Sequence, residues 1–211
     1  MKSLLVIGAS GHARVVADAA VETGYRKVGL IDDVLPAGAV SGPFEVVGRS
    51  SDLESRLPEW GEAIVGIGDN YRRLALLERL RTMGYILPTI VHPSAVVSRH
   101  AGLGVGTFVA AGSMIATGAS LGEGVLVNTG ATIDHDCDLG GAVHISPGAH
   151  LGGNVSVGKC TWIGIGAVVK HGVQIGADAI VGAGAVVVSD LLGGRTFVGS
   201  PARVLRNRSH R

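Results

Sequence analysis

Aromatic side chains make up only 4% of this 211-residue chain, cysteine occurs twice, and no run of 18 apolar residues is present. With so few rings, any core has to be filled by aliphatic side chains. Cys137 and Cys160 are spaced neither as metal ligands nor as a disulfide framework, which makes the cytoplasm the natural compartment. The missing apolar run leaves no candidate for a membrane-spanning helix. The opening MKSLLVIGAS carries a short apolar stretch that leads straight into turn residues, so it reads as a first strand rather than a secretory signal. Charge is also nearly absent in net terms: 18 basic and 17 acidic residues leave +1, too little to draw nucleic acid or a membrane surface. A hydrophobic content of 46% excludes disorder.

What the chain has in abundance is glycine, 34 residues, and a period of six. Every sixth position from Val91 to Val187 is Val, Leu or Ile, seventeen times without a break. At one in three per position, chance would produce this roughly once in 10⁸. Four residues after each aliphatic, from Ala95 to Ala185, stands Ala, Ser, Thr or Val, with Cys137 the one departure. About half of the residues directly after the aliphatics are glycine, among them Gly104, Gly122, Gly140, Gly158 and Gly176. Six is too long for a helical turn and too regular for ordinary strands, but three such units make one 18-residue triangular turn of a parallel β-helix. Each aliphatic then points inward, each small residue makes room beside it, and glycines serve the corners. An irregular β-sandwich has no use for so strict a phase. The period is equally at home in purely structural solenoids, so it does not establish catalysis.

Before residue 91 the pattern changes. Leu4 to Ile7 reads as a buried strand, followed by Gly8-Ala9-Ser10-Gly11 and a helix from His12 to about Glu22. Val28 to Ile31 is a second strand ending at Asp32-Asp33, Phe44 to Val47 a third, and Ser51 to Leu57 a short helix. Ala63 to Ile67 and a helix from Tyr71 to Met83, with Leu74, Leu77, Leu80 and Met83 as its apolar face, complete the alternation. Strands alternating with helices predict a small parallel sheet covered on both sides. The pattern switches between Gly84 and Pro93, which predicts a Rossmann-like domain over 1–88 and a β-helix domain with a C-terminal tail over 89–211.

The first strand-turn-helix has the outline of a phosphate site, with the amides of Ser10, Gly11 and His12 at the positive end of a helix. Asp32 and Asp33 stand where such sheets place a carboxylate on a ribose hydroxyl, and Gly68-Asp69-Asn70 would converge on the same edge. The run G-A-S-G-H-A departs from the dinucleotide fingerprint, which argues against nicotinamide and leaves a nucleotide or sugar phosphate, or a purely structural turn.

In the repeat half, Asp134, His135 and Asp136 break an otherwise sparsely charged pattern. His135 takes the third place of its hexad, which is not an inward place, so its imidazole is a candidate general base; the plain alternative is a solvated histidine. His144 lies nine residues on, half a coil around the triangle, so the two can meet only across a subunit boundary. Cys137 falls on an inward place and reads as packing. His150 and His171 read as incidental, and His92 and His100 take no role. A zinc site of the γ-carbonic anhydrase kind does not fit, because His135 and His171 are two coils apart, about 10 Å, and His144 and His150 are on successive faces. A non-catalytic solenoid leaves both the Asp-His-Asp cluster and the N-terminal module without explanation.

These residues resemble the hexapeptide-repeat sugar acyltransferases of the NeuD type, the sialic acid O-acetyltransferases and bacillosamine or perosamine N-acetyltransferases. The resemblance rests on G-A-S-G-H-A at 8–13, the acidic pair 32–33, I-G-D-N at 67–70, H-P-S-A at 92–95, N-T-G-A-T-I-D-H-D-C at 128–137 and G-S-P-A-R at 199–203. It implies a left-handed β-helix, a homotrimer, acetyl-CoA as co-substrate with no metal, and a nucleotide-linked amino sugar as acceptor. A sugar hydroxyl, as in sialic acid, is the alternative acceptor. By the same resemblance His135 is the general base and Asp136 the acid beside it, with Asp134 able to substitute. Asn128 would position the amine; His144, Gly153, Ile165 and Ala183 would contact coenzyme A. Ser10, Gly11, His12, Asp32, Asp33, Gly68 and Asn70 would hold the nucleotide sugar.

Overall fold

The computed structural model describes residues 2–205. Its N-terminal unit runs β1 (Ser3–Ile7), α1 (Gly11–Glu22), β2 (Lys27–Ile31), β3 (Val40–Ser41), β4 (Phe44–Gly48), α2 (Leu53–Trp60), β5 (Ala63–Val65) and α3 (Asn70–Met83). The sheet order is β3-β4-β2-β1-β5, parallel except for the β3–β4 hairpin at the edge. That hairpin was not visible beforehand, because two residues closed by Gly42 at φ +60° carry no periodicity. Alternate residues of the central strands go to opposite sides. Leu4, Val6, Leu30 and Ile64 pack with α1, whereas Leu5, Ile7, Ile31 and Val65 pack with Leu53 and Trp60 of α2 and with Leu77 and Leu80 of α3. The sheet is therefore covered on both faces, as expected.

Ile86 makes one parallel bridge to Glu62 at the sheet edge, and four residues later Ile90–Val91 is already the first strand of the repeat. From there the chain winds through three parallel faces. The first face stacks Val96–Val97, Met114–Ile115, Thr132–Ile133, His150–Leu151, Val168–Val169 and Val186–Val187. The second stacks Gly102–Leu103, Ser120–Leu121, Asp138–Leu139, Ser156–Val157 and Gln174–Ile175. The third runs from Ile90–Val91 through Phe108–Val109, Leu126–Val127, His144–Ile145, Trp162–Ile163 and Ile180–Val181, and is closed by Thr196–Val198 and an antiparallel Arg203–Val204. Partners on a face are 18 residues apart, as Ile115, Ile133 and Leu151 are. The inward aliphatics from Ile115 to Val187 are at most 3% exposed, and they form one continuous core with the small residues between them.

Two kinds of glycine hold this column together. Those directly after the aliphatic leave no gap between coils: a Cβ on Gly140 would stand 2.6 Å from the Lys159 nitrogen of the next coil, so a backbone rather than a side chain would have to yield. Others sit at vertices with positive φ, where a side chain is strained even in open space, as at Gly194 (φ +69°). The two costs differ. Gly140→Ala is expected to destabilise by upwards of about 3 kcal/mol through overpacking, and Gly194→Ala by about 1 kcal/mol through its backbone alone. Thermal unfolding of the two variants checks the order; equal midpoints would refute close coil stacking as the constraint.

Candidate active site

Three places in the fold carry chemistry. The first is a cavity of about 410 Å³ at the carboxyl ends of β1, β2 and β5. Gly8, Ala9, Ser10, Asp32, Asp33 and Gly68 line it, together with Ser50, Arg72 and Arg79. Gly8 holds φ +114°, a conformation that opens the turn between β1 and α1. Ser10 is the N-cap of α1, and the first turn has neither a side-chain cap nor an acidic residue, so its amides remain available to an anion. Asp33 accepts from both the amide and the hydroxyl of Ser50, and those bonds hold its carboxyl below the usual range. Asp32 Oδ1 accepts from the amides of Val34 and Leu35. The acidic pair is thus pre-oriented by its own loop.

Of the residues expected at this cavity, Asn70 stands elsewhere, while Gly11 and His12 face it only through first-turn amides of α1. Gly11 also lines a separate dimple with Arg14, Val15 and Pro43 on the far side of α1. Asn70 is 6% exposed and faces the β-helix; its amide nitrogen donates to the Cys160 carbonyl at 2.8 Å. The reason is helical phase. Asp69 caps α3 through the Arg72 amide, which turns Arg72, Leu76 and Arg79 toward the cavity and Asn70, Arg73 and Leu77 toward the coils. The two arginines were therefore missed: Arg72, Leu76 and Arg79 share one i, i+4, i+7 row, but spacing alone does not say which row faces the cavity and which the coils. The His12 ring also turns away. It meets Phe108 edge-on at 5.8 Å and lies 6.3 Å from the ring of His144.

The second place is an apolar cavity of about 550 Å³ on the third face of the β-helix, lined by Asn128, His144, Ser146, Trp162, Ile165 and Ala183 among others. His144 stacks on Trp162 with centroids 4.8 Å apart, and the Trp162 ring nitrogen donates to Ser146 Oγ. Burial, with the Arg73 guanidinium adding to it, brings His144 down to about 3 and His12 to about 4, so both imidazoles are neutral at physiological pH. His144 Nδ1 is buried and has no hydrogen-bond partner among the described residues.

The third place is the vertex between the first and second faces. His135 projects there, exposed, with Nδ1 2.8 Å from Asp136 Oδ2, while Asp134 accepts from the His135 amide at 2.7 Å. The Asp136 contact first, and the Asp134 charge second, raise the His135 pKa above its ordinary value. A proton held on Nδ1 leaves Nε2 as the acceptor of the neutral ring. Asp136 itself occupies the left-handed region at φ +56°, in the vertex position that Gly118 and Gly172 fill in other coils. Gly153, one coil above, sits directly against the imidazole: a Cβ there would meet Nε2 at 2.5 Å. Gly153 is thereby grouped with His135 and apart from His144, Ile165 and Ala183. Cys137 is buried and its thiol donates to the Gly152 carbonyl.

In a triangular prism a vertex lies opposite the remaining face. The His135 imidazole and the third-face cavity of one chain are therefore separated by the whole aliphatic core. Among the described residues no three His, Cys, Asp or Glu side chains cluster as metal ligands, and no helix is long and apolar enough to cross a membrane.

Residues 3–80 match the PglD N-terminal domain, and residues 154–189 the bacterial transferase hexapeptide (six repeats). The acetyltransferase domain of PglB from Neisseria gonorrhoeae FA1090, solved in complex with acetyl coenzyme A, is 42% identical with a TM-score of 0.93, covering 97% of this chain and 99% of that one. PerB from Caulobacter crescentus, solved with CoA and GDP-perosamine, is 40% identical with a TM-score of 0.92 and 98% coverage of each chain. The UDP-N-acetylbacillosamine N-acetyltransferase of Bacillus subtilis (strain 168) is 34% identical over 117 residues; the match spans about half of that curated relative, 52% of its length and 53% of this chain's.

Since the Asp136 hydrogen bond is the larger cause of the raised His135 pKa, Asp136→Asn is expected to move it down. An NMR titration of the His135 imidazole in the two proteins measures this, and coincident curves would refute the pairing.

Proposed function

The chain belongs to the hexapeptide-repeat sugar acetyltransferases that carry a PglD-type N-terminal domain, and from that membership we propose that it acetylates the amine of a nucleotide-linked amino sugar with acetyl-CoA. The observation that carries this reading is full-length similarity, over both domains at once, to proteins solved with acetyl coenzyme A and with CoA plus GDP-perosamine. The N-terminal cavity supports it with pre-oriented carboxylates for a ribose and two arginines, Arg72 and Arg79, for a diphosphate. The apolar third-face cavity suits the slender arm and thioester of acetyl-CoA. Both co-substrates are products of cytoplasmic metabolism, and the cytoplasm is the proposed compartment.

In the proposed reaction the unprotonated amine attacks the thioester carbonyl carbon. As the C–N bond forms, His135 Nε2 takes the nitrogen's proton, and the Asp136 carboxylate stabilises the imidazolium through Nδ1. The tetrahedral oxyanion collapses, the C–S bond breaks, and the departing thiolate collects the proton. The backbone amide of Gly153, next to the imidazole, is the proposed oxyanion donor, since the amides on either side of it donate to the Val169 and His135 carbonyls. No acyl-enzyme is needed, because holding both substrates in one cleft supplies the proximity.

Because vertex and cavity are opposed within one chain, the reading requires more than one copy. A homotrimer brings the His135 vertex of one subunit to the third face of its neighbour. The outward residues of the first face support such packing: Val96, Met114 and Val168 are 61%, 53% and 43% exposed, apolar positions on either side of a hydrogen-bonded Thr132–His150 pair that a neighbour would cover.

Purified protein incubated with acetyl-CoA and a panel of UDP- and GDP-linked amino sugars is expected to give a mass gain of one acetyl group on at least one of them. Acetylation of sialic acid hydroxyls and of no amino sugar would replace this reading with the O-acetyltransferase one. His135→Ala is expected to lower kcat by about 10²–10⁴-fold with acetyl-CoA affinity retained, and near-normal turnover would remove His135 from the mechanism.

A further inference from the structure

Among the described residues Arg73 is the largest side chain with no solvent exposure, and its hydrogen bonds go to carbonyls and to Asn70 rather than to a carboxylate. All five of its N–H donors are used. Nε donates to the Gly124 carbonyl at 2.7 Å, and one terminal nitrogen donates to the carbonyls of Ile67 and Gly68, both at 3.1 Å. The other donates to Asn70 Oδ1 and the Ala142 carbonyl, both at 2.8 Å. The acceptors fall into two sets. Ile67 and Gly68 are wall residues of the N-terminal cavity. Gly124 and Ala142 are vertex residues of successive coils, and Ala142 lies two residues before His144, which lines the third-face cavity.

The same helix repeats this attachment along its length. Leu77 packs over the bare vertex of Gly106, where a Cβ would stand 2.6 Å from its methyl, and over Gly124. Asn70 reaches the carbonyls of Cys160 and Thr161, the latter adjoining Trp162 of the third-face cavity. The contacts advance one coil for each three or four residues of helix, because a helical turn rises about 5.4 Å and a coil about 4.8 Å. Meanwhile Arg72, Leu76 and Arg79 on the opposite row line the nucleotide cavity.

We propose that Arg73 is a positioning residue: its guanidinium bolts the wall of the nucleotide cavity to the coils that carry the acetyl-donor cavity, and so sets the distance at which sugar amine and thioester meet. The proposal rests on the assignment of those two cavities made above. Burying an unpaired guanidinium is costly, and an apolar residue of similar volume would hold the domains together at least as well. What the apolar residue lacks is the rigid planar fork, which accepts only one arrangement of five oxygens. A lysine keeps the charge but has three donors for five acceptors.

The test compares wild-type protein with Arg73→Lys and Arg73→Met, each as the full chain, using two acceptors: GDP-perosamine (or whichever nucleotide-linked amino sugar the wild type prefers) and the same amino sugar without its nucleotide. With the nucleotide-linked acceptor kcat is expected to fall about 10- to 100-fold, as for a misplacement of about 1 Å. The dissociation constants of acetyl-CoA and of the nucleotide sugar, measured one at a time by calorimetry, should stay near wild type. Turnover of the nucleotide-free sugar, which does not span the two cavities, should also stay near wild type. Equal losses on both acceptors, weakened binding of either ligand alone, or no loss in kcat would each overturn the proposal. Should both Arg73 variants fail to fold, Asn70→Ala removes the ties to the Cys160 and Thr161 carbonyls and one of the five acceptors of Arg73, and is expected to show the same split at smaller amplitude; absence of the split there overturns the proposal as well. Failure of the wild type to acetylate any nucleotide-linked amino sugar is a different result, since it would refute the assigned function before Arg73 is reached.

Discussion

The stacking of one coil on the next at the spacing of hydrogen-bonded strands governs everything else in this protein. At about 4.8 Å per layer there is room for an aliphatic side chain inside the triangle and, at the vertex between the second and third faces, for nothing but a hydrogen on the glycine that follows it. The chain meets that demand by keeping an aliphatic at every sixth place, a small residue four places later and glycine after each second-face aliphatic, so the position of every outward side chain becomes a matter of counting. Residue 135 has to stand on the vertex between the first two faces, and residues 144 and 162 on the third. A site built on such a column needs no large loop to organise it. Its reactive groups are held by the backbone they grow from, and the few deviations are local: Gly153 is bare so that an imidazole fits beneath it, and Asp136 accepts a left-handed backbone so that its carboxylate reaches Nδ1.

The N-terminal unit meets the column through two helices, α1 and α3, rather than through its sheet. The near match between a helical turn and a coil rise lets α3 run along one vertex, engaging a new layer with each turn, while its other side faces the nucleotide cavity. A rigid solenoid and a small Rossmann-like sheet have no common symmetry, and α3 matches the period of the column while α1 packs its apolar side on Ile90, Phe108 and Leu126 of the third face. The buried imidazoles of His12 and His144, one from each unit, lie 6.3 Å apart beside that junction.

Most of the architecture was legible in the sequence because the period of six leaves so little freedom: the three faces, the inward aliphatics and the exposed place of His135 all follow from phase alone. The alternation of strands and helices before residue 91 was equally readable, apart from the two-residue strand Val40–Ser41, which is too short to have a pattern. The site was legible where it depends on that phase and obscure where it depends on contacts between the units. Ser10, Asp32, Asp33 and Gly68 stand at the strand ends, where doubly wound sheets gather their ligand groups. Asn70 turns to the coils and the His12 ring to Phe108 because contacts between the units, which carry no local pattern, decide which side of each helix faces the column. Arg73 gave no signal at all. A charged residue within an apolar helical row looks like an interruption until its partners, 51 and 69 residues away, are seen to be bare carbonyls.

The most consequential claim is that catalysis occurs between copies, with the imidazole from one subunit and the acetyl-donor cavity from the next. It is tested most directly by mixing two inactive variants. One lacks the imidazole, His135→Ala; the other has the third-face cavity filled, Ala183→Trp. Co-refolded in equal amounts, they should regain about a quarter of wild-type activity, because in a symmetric trimer a quarter of the sites pair an intact vertex with an intact cavity. A mixture that stays as inactive as its components, although mixed trimers are demonstrated by mass spectrometry, would mean that base and cavity belong to one chain and would contradict the shared site.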